Sequence, residues 1–207
     1  MSELRKRYRE NYEKIAKDLF TVSQEARTIA SLVGYDLRRM YYICPIPKID
    51  VVDIGCGKGW VTKDLTFADV VNTDTSINQV KAVSGKKRMV ADAEVLPLKD
   101  SVADVVVCTD VLEHVLDPKK MANEITRILR PKGVLLLAVP WQQDLSVYND
   151  PRYKHRYEFV HLRSINDQDL NVWFPTYVLR SWTNITNQCP EQWAPYTIKY
   201  LHLEKKA

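Results

Sequence analysis

No uninterrupted apolar stretch in this 207-residue chain approaches the roughly 20 residues that a membrane-spanning helix requires. The opening MSELRKRYRENYEK carries charge throughout and lacks the apolar segment and small-residue cleavage site of a secretory signal. Export and membrane insertion are therefore not expected, and a cytoplasmic location is. Cysteine is scarce and scattered. Cys44, Cys56, Cys108 and Cys189 form no C-x-x-C pair, which argues against a zinc site and against a disulfide framework, so no metal is expected. Internal repeats and low-complexity tracts are absent. The formal charge of +4 is mild. The basic clusters RKRYR (5–9), KKR (86–88) and RYKHR (152–156) read first as solvated surface, with a nucleic-acid or anionic-acceptor surface as the alternative.

What is present is organised as one domain. Residues 3 to about 40 read as one or two helices. Ile15, Leu19, Val22, Ala26, Ile29 and Val33 recur at spacings of four and three, which places them on one helical stripe. The stripe is expected to pack on the main body, with pairing to a second copy of the chain as the alternative. CPIPK (44–48) ends any helix, because proline lacks the amide donor. From Ile49 short apolar strands alternate with helical stretches. Ile49–Ile54, Val70–Asn72, Val105–Cys108 and Val134–Val139 have the Val, Ile and Leu content of buried parallel strands, while Met89–Val90 is too short to assign. PKKMANEITRILR carries a helical face of Met121, Ile125, Ile128 and Leu129, ended by Pro131 and Gly133. Beyond it, INDQDLNVWF predicts a short helix, and TYVLRSWTNI and PYTIKYLHLEK predict two strands forming an antiparallel edge. This alternation predicts an α/β fold with an open, mostly parallel sheet.

The stretch VVDIGCGKGW (51–60) places a glycine-rich turn after the first strand, with a helix expected beyond it. Such a turn admits a ligand close to the backbone at the carboxyl end of the sheet. Two common ligands are disfavoured by what is missing. A dinucleotide fingerprint needs its third glycine at position 60, where Trp60 stands, and a P-loop needs Ser or Thr after Lys58. A nucleoside without phosphates fits better. Asp74, just past the second strand, can accept hydrogen bonds from ribose hydroxyls.

The segments DIGCGKG, DAEVLP, VLEHV and RILRPKG occur in that order over about residues 49 to 140. Together they resemble the class I S-adenosylmethionine-dependent methyltransferases of the type 11-like subgroup. The resemblance implies a doubly wound, Rossmann-like sheet. It implies S-adenosyl-L-methionine as cofactor, S-adenosyl-L-homocysteine as product, and transfer of a methyl group. By position, Asp53 and the backbone of Gly55 to Gly57 would surround the methionyl part and Asp74 the ribose. Asp92 would take the adenine amine, the Ala93 amide would face the ring, and Thr109 would line the sulfonium end. The expected organisation is a single methyltransferase domain over 1–207. Its parts are a helical extension (1–45), a cofactor-binding core (46–140), an acceptor-side loop (141–165) and a C-terminal helix with strands (166–207).

Ala103 and Pro131-Lys132-Gly133 depart from the family's habit without touching these contacts. Cys56 and Cys108 read as packed thiols, and Glu113 and His114 as loop-fixing residues at a helix start. The acceptor is expected past the fifth strand. There Trp141, Tyr148, Tyr153, Tyr157 and Phe159 offer aromatic walls, and Arg152, Lys154, Arg156 and Arg163 offer charge. His155 is the expected general base, with His161 close behind it. No recognisable RNA-binding module flanks the domain, so a small-molecule acceptor is expected first. RNA (tRNA) or protein, with a partner, is the alternative. A non-catalytic cofactor-binding subunit and a nicotinamide-dependent oxidoreductase are the readings from other classes, the latter opposed by Trp60.

Overall fold

The computed structural model describes residues 3–18, 24–43, 48–84, 87–149, 161–186 and 196–207. Seven strands form one sheet in the order β3-β2-β1-β4-β5-β7-β6. They are β1 (Ile49–Ile54), β2 (Ala68–Asp74), β3 (Lys87–Val90), β4 (Ala103–Thr109), β5 (Leu129–Trp141), β6 (Tyr177–Thr186) and β7 (Thr197–Lys205). The first five are parallel to one another, and β6 and β7 add an antiparallel edge. This is the predicted α/β architecture, doubly wound about β1 and β4.

Successive side chains of a strand point to opposite faces, and both faces of the central strands are covered. Ile49 and Val51 of β1, Val105 and Val107 of β4 and Leu136 of β5 pack with Ile29, Val33 and Leu37 of helix α2 (Gln24–Ile43). Val52, Ile54, Val106, Cys108, Leu135 and Leu137 pack on the other face with Met121, Ile125 and Ile128 of helix α4 (Pro118–Ile128) and Leu170 of α5 (Asp167–Trp173). Burial on both faces explains why these strands read as unbroken apolar runs. The helix starts follow local chemistry. Asp117 accepts from the Lys120 amide ahead of Pro118, and Asn166 with Asp169 closes a reciprocal capping box.

Several expectations are refined. The N-terminal stripe is divided between two helices, α1 (Glu3–Asp18) and α2. Its Ile29 and Val33 are buried against the sheet, as expected of packing on the body; Leu19 and Val22, and the side chain of Ile15, lie outside what is described. No helix follows the glycine turn: residues 55–64 run as consecutive turns. Met89–Val90 belongs to a real edge strand, β3. Pro131 and Gly133 do not separate helix from strand, because β5 begins at Leu129 and bulges between the Ala103–Leu129 and Val105–Val134 pairs, with Lys132 at φ 62°. Among the described residues no helix is long and apolar enough to cross a membrane.

Candidate active site

Strand order reverses between β1 and β4, and a crevice at the carboxyl ends of these strands is where open α/β sheets receive ligands. The glycine turn lies there, and two of its glycines are bare for different reasons. A Cβ on Gly55 (φ 68°) would meet Val111 Cγ2 at 2.2 Å, so this glycine lets the loop after β4 press against the turn. A Cβ on Gly57 (φ 53°) would meet nothing within 4 Å, so its backbone opens onto free space. Glycine adopts this left-handed conformation without the Cβ penalty.

Carboxylates fix the turn from below. Asp74 Oδ2 accepts from the Gly57 amide at 2.9 Å and Oδ1 from the Ser76 amide at 2.8 Å. Burial raises Asp74 above the usual carboxylate range against the pull of these two amides. Asp53 is 1% exposed and accepts from Thr62 Oγ1 at 2.9 Å. Burial, aided by the Asp74 charge and opposed by Thr62, pushes Asp53 up to about 7. Asp92 and the half-buried Ala93 follow β3, where Asp92 Oδ1 accepts from the Glu94 amide. Thr109 ends β4 opposite Ala138 of β5. Asp53, Gly55, Gly57 and Asp74 are thus joined around one turn, with Asp92 and Ala93 at the neighbouring strand end and Thr109 on the far side of β1.

Helix α1 reaches into this region. Arg5 donates to Asp92 Oδ2 at 2.7 Å and also to Glu94 Oε2. One turn-pair further on, Glu13 accepts from Ser76 Oγ (3.0 Å), the Ile77 amide and Asn78 Nδ2 (both 2.6 Å) at the start of α3 (Ile77–Ala82). Glu94 is 3% exposed, and its Oε1 accepts the Leu116 and Asp117 amides at 2.9 and 3.1 Å. The charged N-terminal helix therefore ties the ends of β2, β3 and the loop after β4 together.

Residues 52–137 match the family model described as a methyltransferase domain. Among curated relatives, an uncharacterized protein of Methanocaldococcus jannaschii is 38% identical over 113 residues, 51% of this chain and 48% of that one. A probable S-adenosylmethionine-dependent methyltransferase of Mycobacterium tuberculosis is 31% identical over 99 residues, 44% of this chain and 35% of that one. The chain thus spans less than half the length of either. The solved S-adenosylmethionine-dependent methyltransferase of Methanosarcina mazei shares the fold, with a TM-score of 0.66 at 16% identity over 81% of this chain and 97% of its own. Residues 52–137 thus form a methyltransferase domain, and the sheet that holds them has the fold of the solved S-adenosylmethionine-dependent methyltransferase.

A cavity of about 240 Å³ opens past the end of β5, bounded by Trp141, Gln143, Asp144 and Tyr196. Lys199 Nζ stands 3.6 Å from the centre of the Trp141 ring and donates to Asp167 at 3.1 Å. Tyr148 accepts from Gln143 Nε2 at 3.1 Å. Arg163 is not a charge offered to an acceptor. Its guanidinium donates to the carbonyls of Leu112 (3.0 Å), Val115 (2.6 Å) and Leu116 (3.4 Å), bracing the loop after β4. A second cleft, of about 440 Å³, lies at the opposite ends of the strands, beside the Asp50–Arg130 and Asp69–Lys87 ion pairs. It is away from the glycine turn.

Residues 150–160 lie outside the described set, so His155 and the expected Tyr153, Tyr157, Phe159, Arg152, Lys154 and Arg156 do too, as do Cys44 and Cys189. Cys56 is buried behind the turn, where burial pushes its thiol pKa up, as it does for Cys108. Glu113 and His114 precede the α4 cap rather than occupying it. His161 lies beside them, held by the Leu162 amide donating to Glu113 O at 2.9 Å. Its pKa is pushed down to about 2 by burial, with His114 adding to the effect. Glu113 is driven up by burial and by the nearby Asp110. Sequence reading passed over Glu13, Glu94 and Gln143, and Arg5 entered only as part of the RKRYR cluster, read first as solvated surface; it instead pairs with Asp92 and Glu94. Of the other three only Glu94 left a signal, as the residue after Asp92-Ala93.

Proposed function

We propose that this domain transfers the methyl group of S-adenosylmethionine to a small-molecule acceptor seated beside Trp141 and Gln143. One observation carries the donor half. At the switch point a backbone face bare at Gly57 opens onto free space, with carboxylates Asp74 and Asp92 at the two adjacent strand ends. A ligand with a ribose, an exocyclic amine and positive charge, and no phosphate, suits acceptors of that kind. In this reading Asp53 and the Gly55–Gly57 backbone hold the methionyl part and Asp74 the ribose diol. Asp92 takes the adenine amine, the Ala93 amide faces the ring, and Thr109 lines the sulfonium end. When bound, the cofactor supplies a methyl group whose carbon–sulfur bond breaks as an acceptor lone pair attacks in line. The chain aligns the partners, which alone lowers such barriers by about 7–11 kcal/mol in favourable cases. His155 is the residue proposed to take the acceptor's proton. The modest cavity at the end of β5 supports a small acceptor rather than a folded macromolecule.

Calorimetric titration with S-adenosylhomocysteine tests the donor half. Asp74→Ala is expected to weaken binding at least tenfold in a folded chain, and unchanged affinity overturns the assignment. Incubating small-metabolite, RNA and protein fractions with methyl-labelled cofactor tests the acceptor. Label confined to RNA or protein overturns the small-molecule reading, and binding without turnover on any fraction overturns the enzyme reading.

A further inference from the structure

Glu113 is 0% exposed, and among the described residues neither of its carboxylate oxygens has a hydrogen-bond partner. A buried carboxylate in that condition costs several kcal/mol unless something compensates it. Two imidazoles face it: His114 Nε2 at 3.7 Å and His161 Nε2 at 4.0 Å, both beyond hydrogen-bond reach.

The orientation of His161 is set from behind. Gln143 uses its Nε2 to donate to Tyr148, which leaves Oε1 to receive the proton on His161 Nδ1. The Nε2 lone pair is thereby directed at Glu113. An imidazole held through its other nitrogen by an amide carbonyl is the arrangement that supports metal ligands. The three ligand atoms lie within 4.8 Å of one another.

We propose that Glu113, His114 and His161 bind a divalent transition-metal ion of the zinc class. Two imidazoles and one carboxylate form a ligand set that zinc accepts with a coordination position left over. Metal–ligand bonds of about 2.0–2.2 Å require neighbouring ligand atoms to sit about 3–3.5 Å apart, so the Glu113–imidazole distances close by roughly half an ångström around the ion and the widest pair by about 1.5 Å. Of the described cysteines, Cys56 and Cys108, neither belongs to this cluster. Because Val111 of the same loop presses on Gly55, the ion sits on the loop that borders the donor turn.

The test needs neither cofactor nor acceptor, so its failure leaves the methyltransferase reading untouched. The tag-free chain is stripped with a chelator and titrated with Zn²⁺, and separately with Co²⁺ while visible absorption is followed. A single equivalent of Zn²⁺ and cobalt ligand-field bands are expected. Glu113→Gln and His161→Ala should abolish the bands. Gln143→Leu, which keeps all three ligands, should weaken Zn²⁺ by about 10- to 100-fold. Absence of stoichiometric Zn²⁺ in the wild type overturns the proposal and leaves an ordered water as the occupant. Full affinity in folded Glu113→Gln and His161→Ala chains overturns it too. If either variant fails to fold, the wild-type titration and Gln143→Leu decide.

Discussion

Arg5 Nη1 lies 2.7 Å from Asp92 Oδ2 across 87 positions of sequence. The same guanidinium meets Glu94, so one residue of α1 bridges two carboxylates behind β3. Asp92 is also the residue proposed to take the adenine amine, and on that proposal α1 is coupled to the donor.

Arg5→Ala should release the first turns of α1. Hydrogen bonds to charged groups contribute about 1.5–3 kcal/mol, so amides of residues 3–13 should exchange with deuterium at least tenfold faster. S-Adenosylhomocysteine should also dissociate faster. Unchanged exchange would show that Glu13 alone holds the helix.

Asp53 predicts a pH dependence. Its folded pKa of about 7 lies above the unfolded value near 3.9. Between those values the folded chain keeps a proton that the unfolded chain has lost. Stability from this group is complete below about pH 4 and is lost as pH rises through 7. The loss is on the order of 4 kcal/mol. Asp74 shifts in the same direction. Urea midpoints at pH 5 and 8 should differ less in Asp53→Asn than in wild type; equal slopes would mean that Asp53 is ionised in the folded chain.

Arg163→Ala strips the donors from the Leu112 and Val115 carbonyls. A loss of about 2–4 kcal/mol is expected from chemical denaturation. Arg163→Lys should not restore it, since one ammonium does not reproduce a planar fork reaching several carbonyls. Wild-type stability in either variant would remove the bracing role.

The central strands were legible because burial on both sheet faces leaves an unbroken Val, Ile and Leu signature. The glycine turn was legible for a related reason: Gly55 and Gly57 are required by a close neighbour and an open face, and chemistry restricts what can stand there. The missing helix after the turn was not. Gly55, Gly57 and Gly59 all have positive φ, and Thr62 turns its hydroxyl to Asp53, so local conformation overrides a sequence that reads as helical. Nor was the docking of α1 visible, because Arg5 and Glu13 sit on a charged helix with no periodic mark of their partners. The same holds for Glu113 with His161. Each has an ordinary local explanation, and only the folded loop brings the carboxylate and imidazoles together.

The span between Arg5 and its partners also bears on the order of folding. Helix α1 leaves the ribosome before β2 and β3, yet its polar anchors, Asp92 and Glu94, come from behind β3. Contacts of such long sequence separation repay their loop-closure entropy only once the intervening chain is ordered. The sheet must therefore assemble first and the helix dock last, so donor binding should mature only after the core has formed.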